Sequence, residues 1–579
     1  MLPTHTPVDA SKLALQRLYH WEQTAPSRVV LTQPLGGGAL GGGALANFNW
    51  AQLMDGARRM AAHLQAQGLQ DGDRVALISK NTAWWLMADF AIWLAGGVSV
   101  PLYPTLAAGT IHQILTHSGA RWLFVGKIDG WAGMKAGVPE GLACIRLPLA
   151  PPLGEIPGGP GPVADDWDDI IARTAPLAGQ PLRPATALAT IMYTSGTTGA
   201  PKGVMHSFGT LAWAIEAGLK RVPQINQSAR MLSYLPLSHV AERCLVELGL
   251  LATSMHLYFA ESLDTFTLDM QRARPTAFFS VPRLWVKFQQ GVSAKMPPAK
   301  LDLMLKIPIL RGIVRKKILG ALGLDQCEYA AGGAAPMPPA LLTWFAKLGL
   351  NIAEGYGMTE NCAVSHATLP GHPRPGTVGP AYEGVGCRID PANGEIQVTS
   401  GGTMLGYYRE PELSHDAFTA DGWLHTGDKG QIDAEGNLTI TGRIKDLFKT
   451  SKGKYVAPAP IEDKLVMHPA VEACCVTGAN LGQPLALVML NAGAIAQATT
   501  PEGRADLAAS LGAHLGAVNA QLDPHEQLSS LVLVTQPWTV DNDFVTPTLK
   551  VKRNRVEAVY GARFEGWSAA SRPVLWADL

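Results

Sequence analysis

The sequence is poor in charged residues. Only 16% of its 579 residues are Asp, Glu, Lys or Arg, whereas 47% are hydrophobic. This composition excludes a disordered polyelectrolyte and is typical of globular proteins with large cores. The 47 basic and 47 acidic residues also balance each other. Because no overall positive field would concentrate a polyanion, we expect no nucleic-acid partner.

Cysteine motifs and long apolar runs are also scarce. The seven cysteines form no C-x-x-C motif, so neither a disulfide framework nor a zinc ribbon is indicated. The start of the chain lacks the basic and apolar segments of a secretory signal. The most apolar stretch, residues 84–102, is interrupted by Asp89, Gly96 and Gly97, and we interpret it as a buried helix and strand. We therefore expect a cytoplasmic protein and leave peripheral contact with a membrane open.

Two widespread active-site motifs are missing. The chain has no G-x-x-x-x-G-K-[ST] and no G-x-S-x-G sequence, which removes the main support for P-loop ATPases and for elbow-type serine hydrolases. Residues 36–41 formally match G-x-G-x-x-G. The next helix begins only near Asn49, so we predict a loop there rather than a dinucleotide site.

The apolar periodicity of the first part of the chain alternates between helix and strand. Helices are predicted at residues 50–64 and 82–95, and strands at residues 74–79, 98–102 and 121–125. Repeated βαβ units of this kind predict an α/β fold with doubly wound, mostly parallel sheets.

The later part of the chain has a different texture. From about residue 380, short strands separated by turns predict a small β-rich lobe. From residue 445, a helix over 507–522 and a strand at 531–534 predict a small α+β domain. We therefore expect a large domain at residues 1–444, with its β-rich lobe at about 380–444, and a small mobile domain at residues 445–579.

The densest motif lies at residues 190–204, TIMYTSGTTGAPKGV, where an apolar strand leads into hydroxyls, glycines and a lysine. Hydroxyls donate hydrogen bonds, glycines let backbone N–H groups approach an anion, and a lysine adds positive charge. A loop of this kind suits a polyphosphate. The candidate phosphate-binding residues are Thr194, Ser195, Gly196, Thr197, Thr198, Gly199 and Lys202.

Together with further motifs in a fixed order, this loop resembles the adenylate-forming superfamily of acyl-CoA synthetases, firefly luciferase and peptide-synthetase adenylation domains. The further motifs are LPLSHVAER (235–243), AAGGAAP (330–336), EGYGMTE (354–360), GWLHTGD (422–428), GRIKDLFKTSKGKYVAP (442–458) and TPTLKVKR (546–553). The resemblance extends from about residue 40 to residue 560. It implies that ATP and a carboxylic acid react to form an acyl-adenylate and pyrophosphate.

The resemblance also implies a nucleotide site. Tyr356 would present its aromatic face to the adenine, and Thr359 would present a hydroxyl to the α-phosphate. Asp428 and Arg443 would bind the ribose hydroxyls. Further residues implied at the nucleotide are Glu354, Gly355, Gly357, Met358 and Lys445, together with Gly332, Gly333 and Ala334, which lack bulky side chains.

Thr194 and Glu360 are the candidate ligands of Mg²⁺. Both offer hard oxygen donors, which this cation prefers. We expect ATP, Mg²⁺ and CoA to be required.

Lys550 is the candidate catalytic lysine. Attack of a carboxylate on the α-phosphate places negative charge on non-bridging oxygens, and one positioned cation can contribute ~10²–10³ in rate. The family uses a lysine near the C-terminus, which Lys550 matches. Leu549 stands where the family commonly has glycine, so Lys552 remains an alternative.

His239 and Lys445 complete the candidate catalytic set. In the family, the position of His239 lies at the carboxylate and thioester site, and Lys445 matches the hinge of the small domain. The residues implied on the CoA side are Lys449, Lys452, Gly453 and Lys454. The glycine would let the backbone approach a narrow pantetheine tunnel.

The motif LPLSHVAER bears on the identity of the acid. An amino-acid substrate needs a buried counter-charge for its ammonium group, and LPLSHV contains no aspartate. The motif, with Glu242 and Arg243, instead resembles that of long-chain and very-long-chain acyl-CoA synthetases. We therefore expect a fatty or other apolar acid. The alternatives are an aryl- or cyclic-acid CoA ligase, an acyl-AMP ligase for a carrier protein, and a non-catalytic acyl or nucleotide binder.

A basic stretch comprising Arg311, Arg315, Lys316 and Lys317 lies between apolar residues. A solvated helix face is the first interpretation, and contact with CoA phosphates or a lipid surface is the alternative. The oligomeric state is left open.

Overall fold

The computed structural model describes residues 8–36, 43–154, 165–195, 201–540, 542–546 and 550–577, without the side chain of Ser195. Within these ranges the chain forms three sheets flanked by helices, a β-rich lobe and a C-terminal α+β part. The predicted α/β fold class is confirmed. Most of the glycine-rich loop at residues 36–41 lies outside the described residues.

The largest sheet has eight strands. In spatial order they are Gly406–Tyr407, Pro201–Ser207, Leu188–Ser195, Val98–Leu102, Arg74–Ile78, Trp122–Val125, Ala143–Arg146 and Asp165–Asp166. The last six run parallel, as βαβ alternation predicts. The first two pair antiparallel at one edge, so residues 406–407 join this sheet although they follow the first strand of the lobe in sequence.

Two four-stranded sheets complete the large part. One contains Arg230–Ser233, His256–Phe259, Val29–Pro34 and Leu45–Asn49, and the other contains Ala277–Ser280, Tyr329–Gly333, Ile352–Tyr356 and His366–Ala367. The helices of this part are Ala14–Thr24, Trp50–Ala66, Ala83–Ala95, Ala108–Ser118, Trp131–Met134, Trp167–Arg173, Phe208–Arg221, Val240–Glu242, Gly249–Thr253, Phe266–Ala273, Pro282–Lys295, Pro298–Lys306, Pro308–Ala321, Pro339–Lys347 and Pro411–Asp416.

The two helices predicted early in the sequence begin and end where local signals place them. Helix Trp50–Ala66 starts at a capping box formed by Asn49 and Gln52. Helix Ala83–Ala95 ends at Gly96, whose φ of +100° suits glycine. This helix and the strand after it are buried, as predicted for residues 84–102. Among the described residues, no helix is both long and apolar enough to cross a bilayer.

The β-rich lobe and the C-terminal part each have their own sheet. The lobe contains Gly386–Ile389, Glu395–Thr399, Leu424–Ile432 and Leu438–Arg443. The C-terminal part contains the hairpin Phe448–Lys449 and Tyr455–Val456 and the sheet Val471–Thr477, Leu485–Leu490, Leu531–Val534 and Val574–Trp576. Its helices are Pro458–Leu465, Ala492–Gln497, Pro501–Asn519, Arg553–Tyr560 and Phe564–Ala569. The predicted helix over 507–522 therefore ends at Asn519, three residues early.

The C-terminal part contacts the large part through charged and apolar groups. Arg283 forms an ion pair with Glu472, and Lys287 lies 3.8 Å from the same carboxylate. Met467 packs against the core of the neighbouring sheet. These contacts hold the C-terminal part beside the sheet whose second strand ends at Gly333.

Candidate active site

The predicted phosphate loop connects two antiparallel strands at the edge of the large sheet. Thr194 lies opposite Lys202 in their register. The Lys202 ammonium lies 5.6 Å from the ring centroid of Tyr407 on the next strand. Four predicted phosphate ligands, Gly196, Thr197, Thr198 and Gly199, lie outside the described residues, as does the side chain of Ser195.

Glu360 lies close to this hairpin. It belongs to a short helical turn, Thr359–Asn361, after the strand Ile352–Tyr356. The Tyr407 hydroxyl donates to the Glu360 carboxylate at 2.9 Å, and burial raises the pKa of Glu360. Lys202 and Glu360 therefore both contact Tyr407, a residue that no sequence motif singled out.

Tyr356, Asp428 and Arg443 form one hydrogen-bonded group. The Tyr356 hydroxyl donates to one Asp428 oxygen at 2.7 Å, and Arg443 Nε donates to the other at 3.0 Å. Asp428 and Arg443 face each other across neighbouring strands of the lobe. The sequence predicted these residues at one nucleotide, and the structure brings them together across a gap of 72 residues in the chain.

Two of the motif glycines are closely packed. A side chain at Gly333 would meet the carbonyl oxygen of Gly355 at 2.8 Å, and one at Gly332 would meet the sulfur of Met337 at 2.8 Å. A side chain at Gly355 would have no neighbour nearer than 3.8 Å. The sheet itself therefore needs glycine at position 333, where the obstacle is backbone, whereas the contact at Gly332 is with a flexible methionine side chain and Gly355 borders open space.

The carboxylate of Glu354 is largely buried beside these glycines. Its Oε1 atom has no hydrogen-bond partner among the described residues. Burial raises its pKa to about 8. The loop after strand Tyr329–Gly333 begins with Ala334, which is left-handed (φ +67°). The loop after strand Ile352–Tyr356 contains Gly357 and Met358.

His239 caps the short helix Val240–Glu242. Its Nδ1 accepts a hydrogen bond from the Ala241 N–H at 3.2 Å, so the proton of the neutral ring resides on Nε2. Burial, and secondarily the charge of Lys550, lower the pKa of His239 to about 4. The ring is therefore a neutral donor at physiological pH.

A buried polar network fixes the segment that carries His239. Glu242 accepts from the Ser233 hydroxyl at 2.9 Å, the Tyr234 N–H at 3.0 Å and the Asn81 amide at 3.2 Å. The Asn81 oxygen accepts from the Leu237 N–H at 3.0 Å. Sequence reasoning missed Asn81, because nothing near it in the chain marks a contact 156 residues away.

Glu242→Gln should reveal the charge state of this network. Burial raises the Glu242 pKa from 4.5 to about 8. Between these values the folded protein holds a proton that the unfolded chain releases, so stability falls as the pH rises. Because glutamine cannot ionise, the melting temperature of the variant relative to wild type should increase between pH 5 and pH 8. A difference that stays constant with pH would contradict this protonation state.

Lys550 lies within electrostatic range of His239, Arg443 and Asp428. Burial and the charge of Arg443 lower its pKa, while Asp428 opposes this shift. The residue remains exposed to solvent. Its backbone is anchored to Thr546 by hydrogen bonds of 2.8 and 3.1 Å.

The competing Lys552 has a different environment. Its ammonium pairs with Asp543 at 2.5 Å, and its N–H donates to the Phe544 carbonyl at 2.8 Å. Of the two lysines, Lys550 is the one whose charge interacts with His239 and Asp428.

The predicted hinge and CoA-side residues lie on one exposed segment. Lys445 belongs to a helical turn, Ile444–Asp446, and the segment then forms a two-stranded hairpin. Gly453 lies at the hairpin tip with φ of +78°. A side chain added at this glycine would approach only Lys449, at 4.0 Å. The exposed lysines of the hairpin are Lys449, Lys452 and Lys454.

Arg243 is a structural residue of the core. It is 1% exposed and pairs with the fully buried carboxylates of Asp89 and Glu247. Its guanidinium lies between the rings of Trp85 and Trp93, 5.6 and 5.4 Å from their centroids. Burial raises the pKa of Glu247 well above its usual range, which favours the protonated form of this acid beside Arg243.

Comparison with known proteins identifies the family of this fold and site. The AMP-binding enzyme family matches residues 19–408, and the AMP-binding enzyme C-terminal domain matches residues 445–567. The chain belongs to the AMP-binding enzyme family.

Individual relatives are similar over most of their length. A long-chain-fatty-acid–CoA ligase of Mycobacterium tuberculosis is 30% identical, covering 89% of this chain and 91% of the relative. The peroxisomal long chain acyl-CoA synthetase 7 of Arabidopsis thaliana is 29% identical, covering 92% and 84%. ATP-bound MatB from Rhodopseudomonas palustris has a TM-score of 0.71 at 25% identity, covering 96% of this chain and 99% of that structure.

A further solved structure supports the fold alone. The adenylation domain of a carboxylate reductase from Mycobacterium chelonae has a TM-score of 0.77 at 23% identity, covering 96% of this chain and 91% of that structure.

Proposed function

We propose that the protein is an ATP-dependent acyl-CoA synthetase acting on a long-chain fatty acid or another apolar carboxylic acid. The observation that carries the proposal is that Arg443 is hydrogen-bonded to Asp428 and that Lys550 lies within electrostatic range of both and of His239. The full-length similarity to long-chain-fatty-acid–CoA ligases supports the choice of acid and acceptor.

In the first half-reaction, the carboxylate of the acid attacks the α-phosphorus of ATP. The bond to the β-phosphate breaks, pyrophosphate leaves and acyl-AMP remains. Lys550 stabilises the negative charge that develops on the non-bridging oxygens. The neutral His239 donates its Nε2 proton to the acid in a hydrogen bond, which orients the attacking oxygen.

The remaining residues hold the nucleotide. Asp428 accepts hydrogen bonds from the ribose hydroxyls, Tyr356 stacks on the adenine, and Thr359 donates to the α-phosphate. The unpartnered Oε1 of Glu354 fits a donor such as the adenine amine. Thr194 and Lys202 bind the distal phosphates, together with Ser195 and the glycines of the loop.

The residues present also fit Mg²⁺ bound through the substrate. Among the described residues, no group of three or more His, Cys, Asp or Glu side chains could hold a metal. Mg²⁺ commonly binds one carboxylate together with substrate phosphates, and Glu360 and Thr194 supply such oxygens at the phosphate hairpin. When bound, the ion would neutralise phosphate charge.

In the second half-reaction, the CoA thiol attacks the acyl carbonyl and AMP leaves. The C-terminal domain, residues 445–579, turns about Lys445 so that the Lys449–Lys454 hairpin replaces Lys550 at the site. Lys449, Lys452 and Lys454 then attract the CoA phosphates, and the side-chain-free Gly453 borders the pantetheine arm. The cytoplasmic location stays a prediction, and membrane contact and the oligomeric state stay open.

Asp428→Asn should raise the KM for ATP by about tenfold or more, since a hydrogen bond to a charged acceptor contributes ~1.5–3 kcal/mol. The variant should also lose most of the wild-type preference for ATP over 2′-deoxyATP. Steady-state pyrophosphate release measures both quantities. An unchanged preference would contradict the ribose role.

The identity of the acid is tested by pyrophosphate release and hydroxylamine trapping. Saturated acids of increasing length and aromatic acids should be compared, each with and without CoA. The proposal predicts the highest kcat/KM for long chains and consumption of acyl-AMP on addition of CoA. A preference for aromatic acids, or transfer only to a carrier protein, would select the corresponding alternative.

A further inference from the structure

Two consecutive helices present apolar side chains to solvent. Leu303, Ile307, Ile309 and Ile313 are 62%, 43%, 80% and 60% exposed. Scattered exposed apolar residues are ordinary, but contiguous ones mark interaction surfaces. We call these four residues, with Lys316 and Lys317, the outer-helix patch.

The patch lies on the outward side of a helix that is firmly packed. Helix Pro308–Ala321 buries Val314 and Ile318 in the core beneath it. Ile309, Ile313 and Lys317 follow at intervals of four residues, so they lie along one helical face. The exposed side chains are therefore held in place by the buried ones, and are not part of a frayed segment.

This surface is strongly basic in a chain with no net charge. Residues 295–324 contain seven basic residues and one acidic residue, Asp302. That carboxylate pairs with Lys347 at 2.8 Å. Arg315 donates to the Lys347 carbonyl at 2.8 and 2.7 Å, whereas Lys316 and Lys317 are exposed beside the apolar residues.

We propose that the outer-helix patch docks onto an anionic phospholipid surface. Helices that lie at a membrane interface typically carry apolar side chains flanked by lysines. The apolar side chains enter the boundary of the acyl region, and the lysines contact lipid phosphates. A second copy of the chain fits less well, because a two-fold contact would bring the same lysines together. Docking needs no spanning helix.

The position of the patch connects it to the proposed reaction. Val314 and Ile318 share a core with Ala330 and Ile352, which lie on the strands leading to Gly333 and Glu354. The link between docking and catalysis depends on the proposed function, because a long-chain acid partitions into the same lipid surface. A docked enzyme would then hold the sheet that carries Gly333 and Glu354 close to substrate dissolved in the lipid.

Vesicle flotation of the full-length protein tests the docking. Vesicles of phosphatidylcholine alone are compared with vesicles containing about 30% phosphatidylglycerol. The variants are Ile309→Ser with Ile313→Ser, and Lys316→Glu with Lys317→Glu. The matched control replaces two exposed leucines elsewhere, Leu182→Ser with Leu263→Ser, which are 61% and 91% exposed.

The wild type and the leucine control should bind anionic vesicles equally. Each patch variant should bind at least ~10-fold more weakly, and about 0.5 M NaCl should weaken wild-type binding. Wild-type binding that is absent, or unchanged in both patch variants, would overturn the proposal. So would a wild-type dimer that the isoleucine variant dissociates.

Pyrophosphate release from a short, water-soluble acid without vesicles separates this proposal from the proposed function. Patch variants should keep wild-type rates, which shows that they fold. Absence of vesicle binding by a wild type that releases pyrophosphate would contradict docking alone. Vesicle binding by a wild type that releases no pyrophosphate from any acid, short or long, would contradict the proposed function alone.

Discussion

Lys550→Ala should lower the rate of acyl-adenylate formation by about 10²–10³, because it removes the cation that stabilises charge on the α-phosphate. The charge of Arg443 lowers the pKa of Lys550 and that of Asp428 raises it, so the lysine lies within electrostatic range of the proposed ribose ligands. Thioester formation from supplied acyl-AMP should largely survive, since in the proposed mechanism the lysine leaves the site in that half-reaction. Single-turnover assays of each half-reaction measure the two effects.

Lys552→Ala is the matched control. Its ammonium pairs with Asp543, so this variant should keep the adenylation rate within a few-fold of wild type. If Lys552→Ala instead produced the large loss, the catalytic assignment would move to that residue. Equal loss of both half-reactions in Lys550→Ala would indicate a folding defect or another role.

Arg243→Met should destabilise the large part by about 3–5 kcal/mol, because it leaves the buried acid groups of Asp89 and Glu247 without their cation. Both side chains are fully buried. Chemical denaturation with calorimetry measures the loss. Adding Asp89→Asn should recover part of it, since the uncompensated charge is then removed.

An exposed pair of similar composition provides the comparison. Arg388 forms two hydrogen bonds with Asp421, at 2.6 and 2.9 Å, and lies 4.6 Å from the Trp423 ring centroid. Arg388→Met should cost much less stability than Arg243→Met, because water screens and solvates the remaining acid. Similar losses at the two arginines would show that burial does not govern the Arg243 cluster.

Local signals made much of the fold predictable. The capping residue Asn49 and the apolar spacing after it define helix Trp50–Ala66, and Gly96 defines the end of the next helix. The pairing of Gly406–Tyr407 with the large sheet was not predictable, because it joins residues about 200 positions apart. A strand of two residues is too short for its sequence to indicate the strand with which it pairs.

The candidate site was predicted from the order of its sequence motifs. The spacing of its residues along the chain gave no indication that they lie together. Tyr356, Asp428 and Lys550 are far apart in the chain, and only the resemblance placed them at one nucleotide. Tyr407 and Asn81 lie outside every motif, so their contacts with Glu360 and with the His239 segment became visible only in three dimensions.

The central claim is that this chain joins an apolar acid to CoA through an acyl-adenylate. Product analysis of the full-length protein with ATP, Mg²⁺, CoA and a long-chain saturated acid tests it most directly. The account predicts equal amounts of AMP, pyrophosphate and acyl-CoA, with acyl-AMP accumulating when CoA is omitted. Formation of ADP and phosphate, or no pyrophosphate from any acid tested, would contradict it.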